Sequence, residues 1–272
     1  MNQNVRYALA CRDARNQAPS FRTSLETLGL GWLRHDKLKH IGHFDSFRQM
    51  RPIIRPRVKV CCIASIAEAW LAIENGASAI GLVSAMPSGP GPIEEELIAE
   101  IAKVVPPGVA SFLLTCKQDV QSIIDQQRRL RVNTIQICDR LVDGTYSDLR
   151  QALPGVSLVQ VIHVTGPESV NEAQMIAPHV NGILLDSGNQ SLRIRELGGT
   201  GRVHDWSLSR RIRETIDVPL FLAGGLTPEN VTEAIRTVEP FGVDVCSGLR
   251  TEGKLDPKKL GAFFDEVHAF SD

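Results

Sequence analysis

From Val58 onward, short apolar or β-branched runs alternate eight times with amphipathic stretches, a pattern few folds accept. The runs are 58–62 (VKVCC), 79–83 (AIGLV), 109–114 (VASFLL), 133–138 (NTIQIC), 157–163 (SLVQVIH), 180–185 (VNGILL), 218–222 (VPLFL) and 241–246 (FGVDVC). Helices are expected near 66–75, 94–104, 118–130, 146–152, 168–177, 206–216, 228–237 and 257–269. Strands that each feed a helix pair in parallel through right-handed crossovers, and eight of them close a barrel in about 215 residues. An open doubly wound sheet is the competing arrangement, but the first unit carries no GxGxxG fingerprint. The expectation is an α/β chain: a (β/α)8 TIM barrel over 57–272, behind an N-terminal extension over 1–56.

The extension is rich in arginine, and "RPIIRPR" at 51–57 reads as a linker because its prolines oppose helix and sheet. Met50 offers an alternative start. A basic arm could touch nucleic acid, yet the formal net charge of the whole chain is −1, so a solvated tail is the expectation. No nucleic-acid or membrane partner is expected, since no run is long enough to span a bilayer and the charged N-terminus makes a poor signal peptide. Six scattered cysteines are not a disulfide framework and point to reduced thiols in a cytoplasm. The chain is expected to work as a monomer or homodimer.

Barrels carry their chemistry at the C-terminal ends of the strands. Side chains alternate along a strand, so Lys59 and Cys61 share a face, as do Asp244 and Cys246. Strands one and eight are neighbours in a closed barrel, and Lys59 is expected to pair with Asp244 inside it; a Schiff-base lysine is the alternative. Cys61 then faces the pocket, as an inert core thiol or as a base, and Cys62 points outward. Asp186 ends strand six as an isolated carboxyl whose partial desolvation suits a proton donor.

Three glycine clusters, "LGGTG" (197–201), "AGGL" (223–226) and "CSGL" (246–249), fall after strands six, seven and eight, where barrels commonly hold phosphate. Thr227 as N-cap and Pro228 as first helical residue put a helix start beside the second cluster. The ligand implied is a small phosphorylated molecule. A thiol–metal protein is the other chemistry to weigh, because Cys61, Cys116, Cys138 and Cys246 all lie near strand ends. Strands three and four face one and eight across the mouth, too far apart for a tetrahedral site, and no CxxC pair is present, so no metal is expected.

Taken in order, "KVCC", "LLDS", "GGTGRVHDWSL", "PLFLAGGLTPENV" and "GVDVCSGL…DPKKL" resemble the phosphoribosylanthranilate isomerase family over roughly 58–269. The resemblance implies a barrel enzyme of tryptophan biosynthesis that performs an Amadori rearrangement of N-(5-phosphoribosyl)anthranilate without metal or cofactor. It implies Asp186 as general acid and Cys61 as general base. It also implies a phosphate site made by Gly199, Thr200, Gly201, Gly224, Gly225, Ser247 and Gly248. The chain departs from the family pattern at Cys62, where glycine is usual, and at Cys246, where serine is usual. Pro90 stands close to where an arginine grips the anthranilate carboxylate, and Cys138 where a histidine stands. Arg193 or Arg195, in the long loop after strand six, could replace the missing clamp, or simply be solvated. The alternatives are a paralogue acting on another phosphorylated aminosugar, and a non-catalytic sugar-phosphate-binding barrel.

Overall fold

The computed structural model describes residues 55–189, 191–199 and 201–270. Nearly all of the N-terminal extension, the candidate start Met50 and Thr200 lie outside the described residues.

Eight parallel strands form one closed barrel in sequence order. They are β1 (Arg57–Val60), β2 (Ala79–Val83), β3 (Ala110–Thr115), β4 (Thr134–Ile137), β5 (Ser157–His163), β6 (Gly182–Asp186), β7 (Leu220–Leu222) and β8 (Gly242–Val245). Each leads to a helix: α1 (Ile66–Glu74), α2 (Glu95–Val104), α3 (Val120–Leu130), α4 (Tyr146–Ala152), α5 (Glu168–Ile176), α6 (Trp206–Thr215), α7 (Val231–Val238) and α8 (Pro257–Ala269). Among the described residues, no helix is long and apolar enough to cross a membrane.

Buried residues fall into two layers, as a barrel requires. Ile63, Ile98, Ile123, Leu149, Ile212, Ile235 and Phe263 belong to the layer between strands and helices. Phe112, Leu114, Val159, Val161, Leu184 and Phe221 fill the barrel interior. Phe112 and Phe221 pack edge to face at 5.9 Å, a favourable aromatic geometry.

The barrel closes where β1 pairs with β8, with Lys59 opposite Asp244 in register. Lys59 is fully buried, and its Nζ lies 2.8 Å from Asp244 Oδ1 and 5.3 Å from the centre of the Phe112 ring. Burial alone would push the lysine down, but Asp244 and the Cys61 sulfur outweigh it and hold the ammonium well above its usual range. The expected ion pair is therefore present.

Some boundaries differ from expectation. The α7 helix starts at Val231, with Asn230 in the N-cap position, rather than at Pro228. Residues 227–230 form a turn instead: the Thr227 amide donates to Asn230 Oδ1, and Asn230 Nδ2 donates to the Gly225 carbonyl. These side-chain bonds satisfy the Thr227 amide and the Gly225 carbonyl ahead of the helix. A 3-10 turn, Ser247–Leu249, and a hairpin of β9 (Arg250–Thr251) with β10 (Lys254–Leu255) follow β8; neither has a periodic signature in the sequence.

Candidate active site

A cavity opens at the C-terminal end of the barrel and encloses about 680 Å³ of space, its mouth included. Cys61 and Asp186 both line it, as do Gly199, Gly201, Gly224, Gly225 and Ser247. The three glycine clusters therefore meet, and they meet on the side of β6 to β8.

Close packing explains the glycines. Gly225 has a φ of +64°, and a Cβ there would stand 2.8 Å from the Val203 amide nitrogen, so the loop before α6 lies directly on this turn. Gly248 lines no wall of the cavity, but a Cβ on it would come 2.0 Å from the Leu226 carbonyl oxygen. It lets the 3-10 turn after β8 press against the loop after β7. Backbone amides gathered this way, with little side-chain cover, suit a phosphate group.

Cys61 follows β1 and keeps its parity, with its amide donating to the Val245 carbonyl at 2.8 Å. Room for its sulfur comes from Gly81 on β2, where a Cβ would lie 2.7 Å from Cys61 Sγ and 3.0 Å from Lys59 Nζ. The Lys59 ammonium and the Cys61 thiol thus sit side by side over this glycine. Asp186 ends β6 beside His163 of β5 and is buried. It is not isolated as expected: Oδ1 accepts from the Ser187 amide at 2.7 Å and from the Ser187 hydroxyl at 3.4 Å. The chain turns immediately after the strand, which brings the next amide onto the carboxylate.

Cys62 overturns the outward expectation, since it lines the cavity and is buried. Strand alternation ends at Val60, and Cys62 adopts φ +61°, the left-handed region that favours the family's glycine. Arg250 holds this turn. Its guanidinium donates to the Cys62 carbonyl and to the Cys61 carbonyl, the latter at 3.4 Å, and pairs with Glu68 at 3.1 Å. Glu68 sits in the first turn of α1 and also accepts from the amides of Ala64 and Leu255, both at 3.0 Å. Burial would raise the Glu68 carboxyl, but these hydrogen bonds prevail and hold it below the usual range.

A carboxyl depressed in the folded state contributes stability above its unfolded pKa of 4.5, which is lost as pH falls through the lower folded value. Glu68→Gln is expected to cost about 2 kcal/mol at neutral pH, because the side chains of Arg250 and Glu68 are only 9% and 15% exposed. Its unfolding free energy should also fall less steeply below pH 4.5 than that of the unsubstituted chain. Chemical denaturation at stepped pH measures both; parallel acid limbs would remove Glu68 from this role.

The opposite half of the mouth is built differently. Pro90 lines the cavity with Met86 and Gly89, and Cys138 lies below. The loop after β6 is pinched where Asn189 and Glu196 exchange backbone hydrogen bonds of 2.9 and 3.0 Å. It docks on the loop after β2 through Ser88 Oγ, which donates to the Arg195 carbonyl at 2.7 Å. The Arg195 guanidinium pairs with Asp139, just past β4; Asp139 is 3% exposed and Arg195 37%. Arg193 is exposed, and neither arginine lines the cavity.

Gln136 was not singled out from the sequence, yet it lines the cavity with a buried Oε1 that has no partner. The signal was a lone amide inside an apolar strand, at the parity of Cys138. Among the described residues, no group of three or more His, Cys, Asp or Glu side chains is placed to hold a metal ion.

A family model described as N-(5'-phosphoribosyl)anthranilate (PRA) isomerase matches residues 58–266. N-(5'-phosphoribosyl)anthranilate isomerase 2 of Methanosarcina mazei is 38% identical over 207 residues, spanning 75% of this chain and 90% of that relative. Phosphoribosyl anthranilate isomerase from Thermotoga maritima superposes with a TM-score of 0.66 at 28% identity, over 79% of this chain and 99% of that one. A phosphoribosyl anthranilate isomerase solved with reduced 1-(o-carboxyphenylamino)-1-deoxyribulose 5-phosphate gives a TM-score of 0.64 at 27% identity, with the same two coverages.

Proposed function

Since the chain belongs to the N-(5'-phosphoribosyl)anthranilate isomerase family, we propose that it isomerises N-(5'-phosphoribosyl)anthranilate to the 1-deoxyribulose phosphate by an Amadori rearrangement. The observation that carries this reading is one cavity lined by a thiol, a carboxyl and three convergent glycine clusters. Gly199, Gly201, Gly224, Gly225 and Ser247 hold the phosphate, largely through backbone N–H groups, with Gly248 shaping that turn. Asp186 protonates the furanose ring oxygen, and the ring opens to a protonated imine. Cys61, as thiolate, then removes the C2 proton. The electron pair moves into the imine, which is itself the electron sink, and the resulting enolamine tautomerises to the ketose. Lys59 places its ammonium beside this base, on the same face of β1.

Arg195 serves as carboxylate clamp in place of the residue missing at Pro90. Asp139 fixes the guanidinium beside the mouth, outside the residues that line the cavity. The thiols at the strand ends suit a reducing compartment, so the cytoplasm is the natural place of work. The catalytic body is 57–272.

Turnover of N-(5'-phosphoribosyl)anthranilate by purified full-length chain tests the reaction, and complementation of an isomerase-deficient strain with full-length and Met50-start forms tests the body. Arg195→Ala should raise KM at least tenfold, with little change in inhibition by ribose 5-phosphate, which has no aromatic carboxylate. Arg193→Ala should leave KM unchanged. Absence of turnover with intact ribose 5-phosphate binding would favour the second reading, another phosphorylated aminosugar, which the residues Pro90 and Cys138 recommend.

A further inference from the structure

Two departures from the family pattern lie far apart in sequence, yet the barrel seam brings them together. Cys62 follows β1, Cys246 follows β8, and these strands pair with Val60 opposite Val245. Neighbouring strands lie about 4.8 Å apart, and the Cys61 amide still donates to the Val245 carbonyl at 2.8 Å, so the residues just past these ends are close neighbours. Close neighbours of this kind are what a disulfide joins. Both side chains line the same cavity and both are in the thiol form, with the Cys62 thiol donating to the Pro90 carbonyl at 3.6 Å. Where the family pattern has glycine and serine, this chain has two thiols on one cavity.

We propose that Cys62 and Cys246 are a redox pair that closes to a reversible disulfide under hydroperoxide and switches the site off. The Cys246 thiolate attacks the peroxide oxygen, giving a sulfenic acid and hydroxide. The Cys62 sulfur then attacks the sulfenic sulfur; an S–S bond forms, the S–O bond breaks, and the Cys62 proton leaves with the oxygen as water. The two thiols give up two electrons and the peroxide takes them. The environment divides these roles. Cys246 is the more exposed, and its hydrogen bond with Cys62 together with nearby Arg250 holds its thiol below the ordinary range despite burial. Cys62 is held above it by hydrogen bonds with Cys246 and Cys61 and by burial, as suits a resolving thiol.

The bridge would tie the turn after Cys61 to the residue preceding Ser247 and Gly248. It therefore acts on the thiol and on the phosphate turn at once. The effect on turnover rests on the function proposed above; formation of the bond does not.

The test treats the full-length chain with hydrogen peroxide and maps its non-reduced peptides by mass spectrometry. A Cys62–Cys246 peptide pair is expected, with at least a tenfold loss of isomerase activity and of inorganic phosphate binding, both restored by dithiothreitol. Cys62→Gly and Cys246→Ser, each compared with its own reduced state, should lose this reversible response. Glycine suits the left-handed turn and serine is nearly isosteric, so both changes are mild. A cross-link through Cys61, no cross-link, or equal reversible inactivation of either variant would overturn the proposal. Phosphate binding and the peptide map are read without turnover, so failure of the isomerase reading would not be mistaken for failure of the switch.

Discussion

Cys61→Ala lowers kcat by about 10²–10⁴-fold, the range expected for loss of a positioned general base, and Asp186→Asn does the same for loss of the acid. Neither change should weaken binding of inorganic phosphate or ribose 5-phosphate, because the glycine turns after β6, β7 and β8 offer backbone groups rather than these two side chains. Steady-state kinetics with N-(5'-phosphoribosyl)anthranilate, paired with calorimetric titration of the phosphate ligands, separates the two quantities. Asparagine keeps the shape of Asp186 and can still accept from the Ser187 amide, so its loss of rate would report the missing proton rather than a collapsed turn. Near-full kcat in either variant would show that the acid–base pair is wrongly assigned.

The second large effect concerns stability. Lys59→Ala or Asp244→Ala should destabilise the barrel by about 3–5 kcal/mol, because either leaves one charge buried and unpaired. A double variant, Lys59→Met with Asp244→Leu, removes both charges at similar volume and should recover most of the loss, as replaced buried pairs often do. Its kcat should stay low, since the ammonium beside the Cys61 sulfur is gone as well. Chemical denaturation and kinetics on the same preparations would show the split. Full recovery of both quantities would confine Lys59 to a structural role.

These two sites were legible for the same reason. Inside a strand the period of two fixes direction, so Lys59, Cys61 and Asp244 could be placed from parity once eight strands were counted. Parity fails where the strand stops. Cys62 sits one residue past Cys61, and its positive φ turns inward a side chain that continued alternation would have sent out. Asp186 was located correctly, but the Ser187 amide on its carboxylate depends on a turn that no periodicity encodes. The Arg250–Glu68 contact joins residues 182 positions apart through a hairpin of two-residue strands, too short to leave a pattern. The late start of α7 has a local cause: the Asn230 amide closes a turn on the Thr227 carbonyl, and the Asn230 side chain ties that turn to the Thr227 amide and the Gly225 carbonyl. Arg195 could be named as a candidate from its loop, whereas its pairing with Asp139 depends on how that loop folds over β4.

The seam between the first and last strands also orders events during synthesis. A ribosome delivers Lys59 and Cys61 early and Asp244 185 residues after the lysine, so for most of translation the lysine has no counter-charge and the first strand no neighbour on one side. Nascent chains that stop short of β8 therefore have neither a paired lysine nor the third glycine cluster, and such fragments are natural clients for chaperones and proteases. Competence arrives all at once, with the final strand.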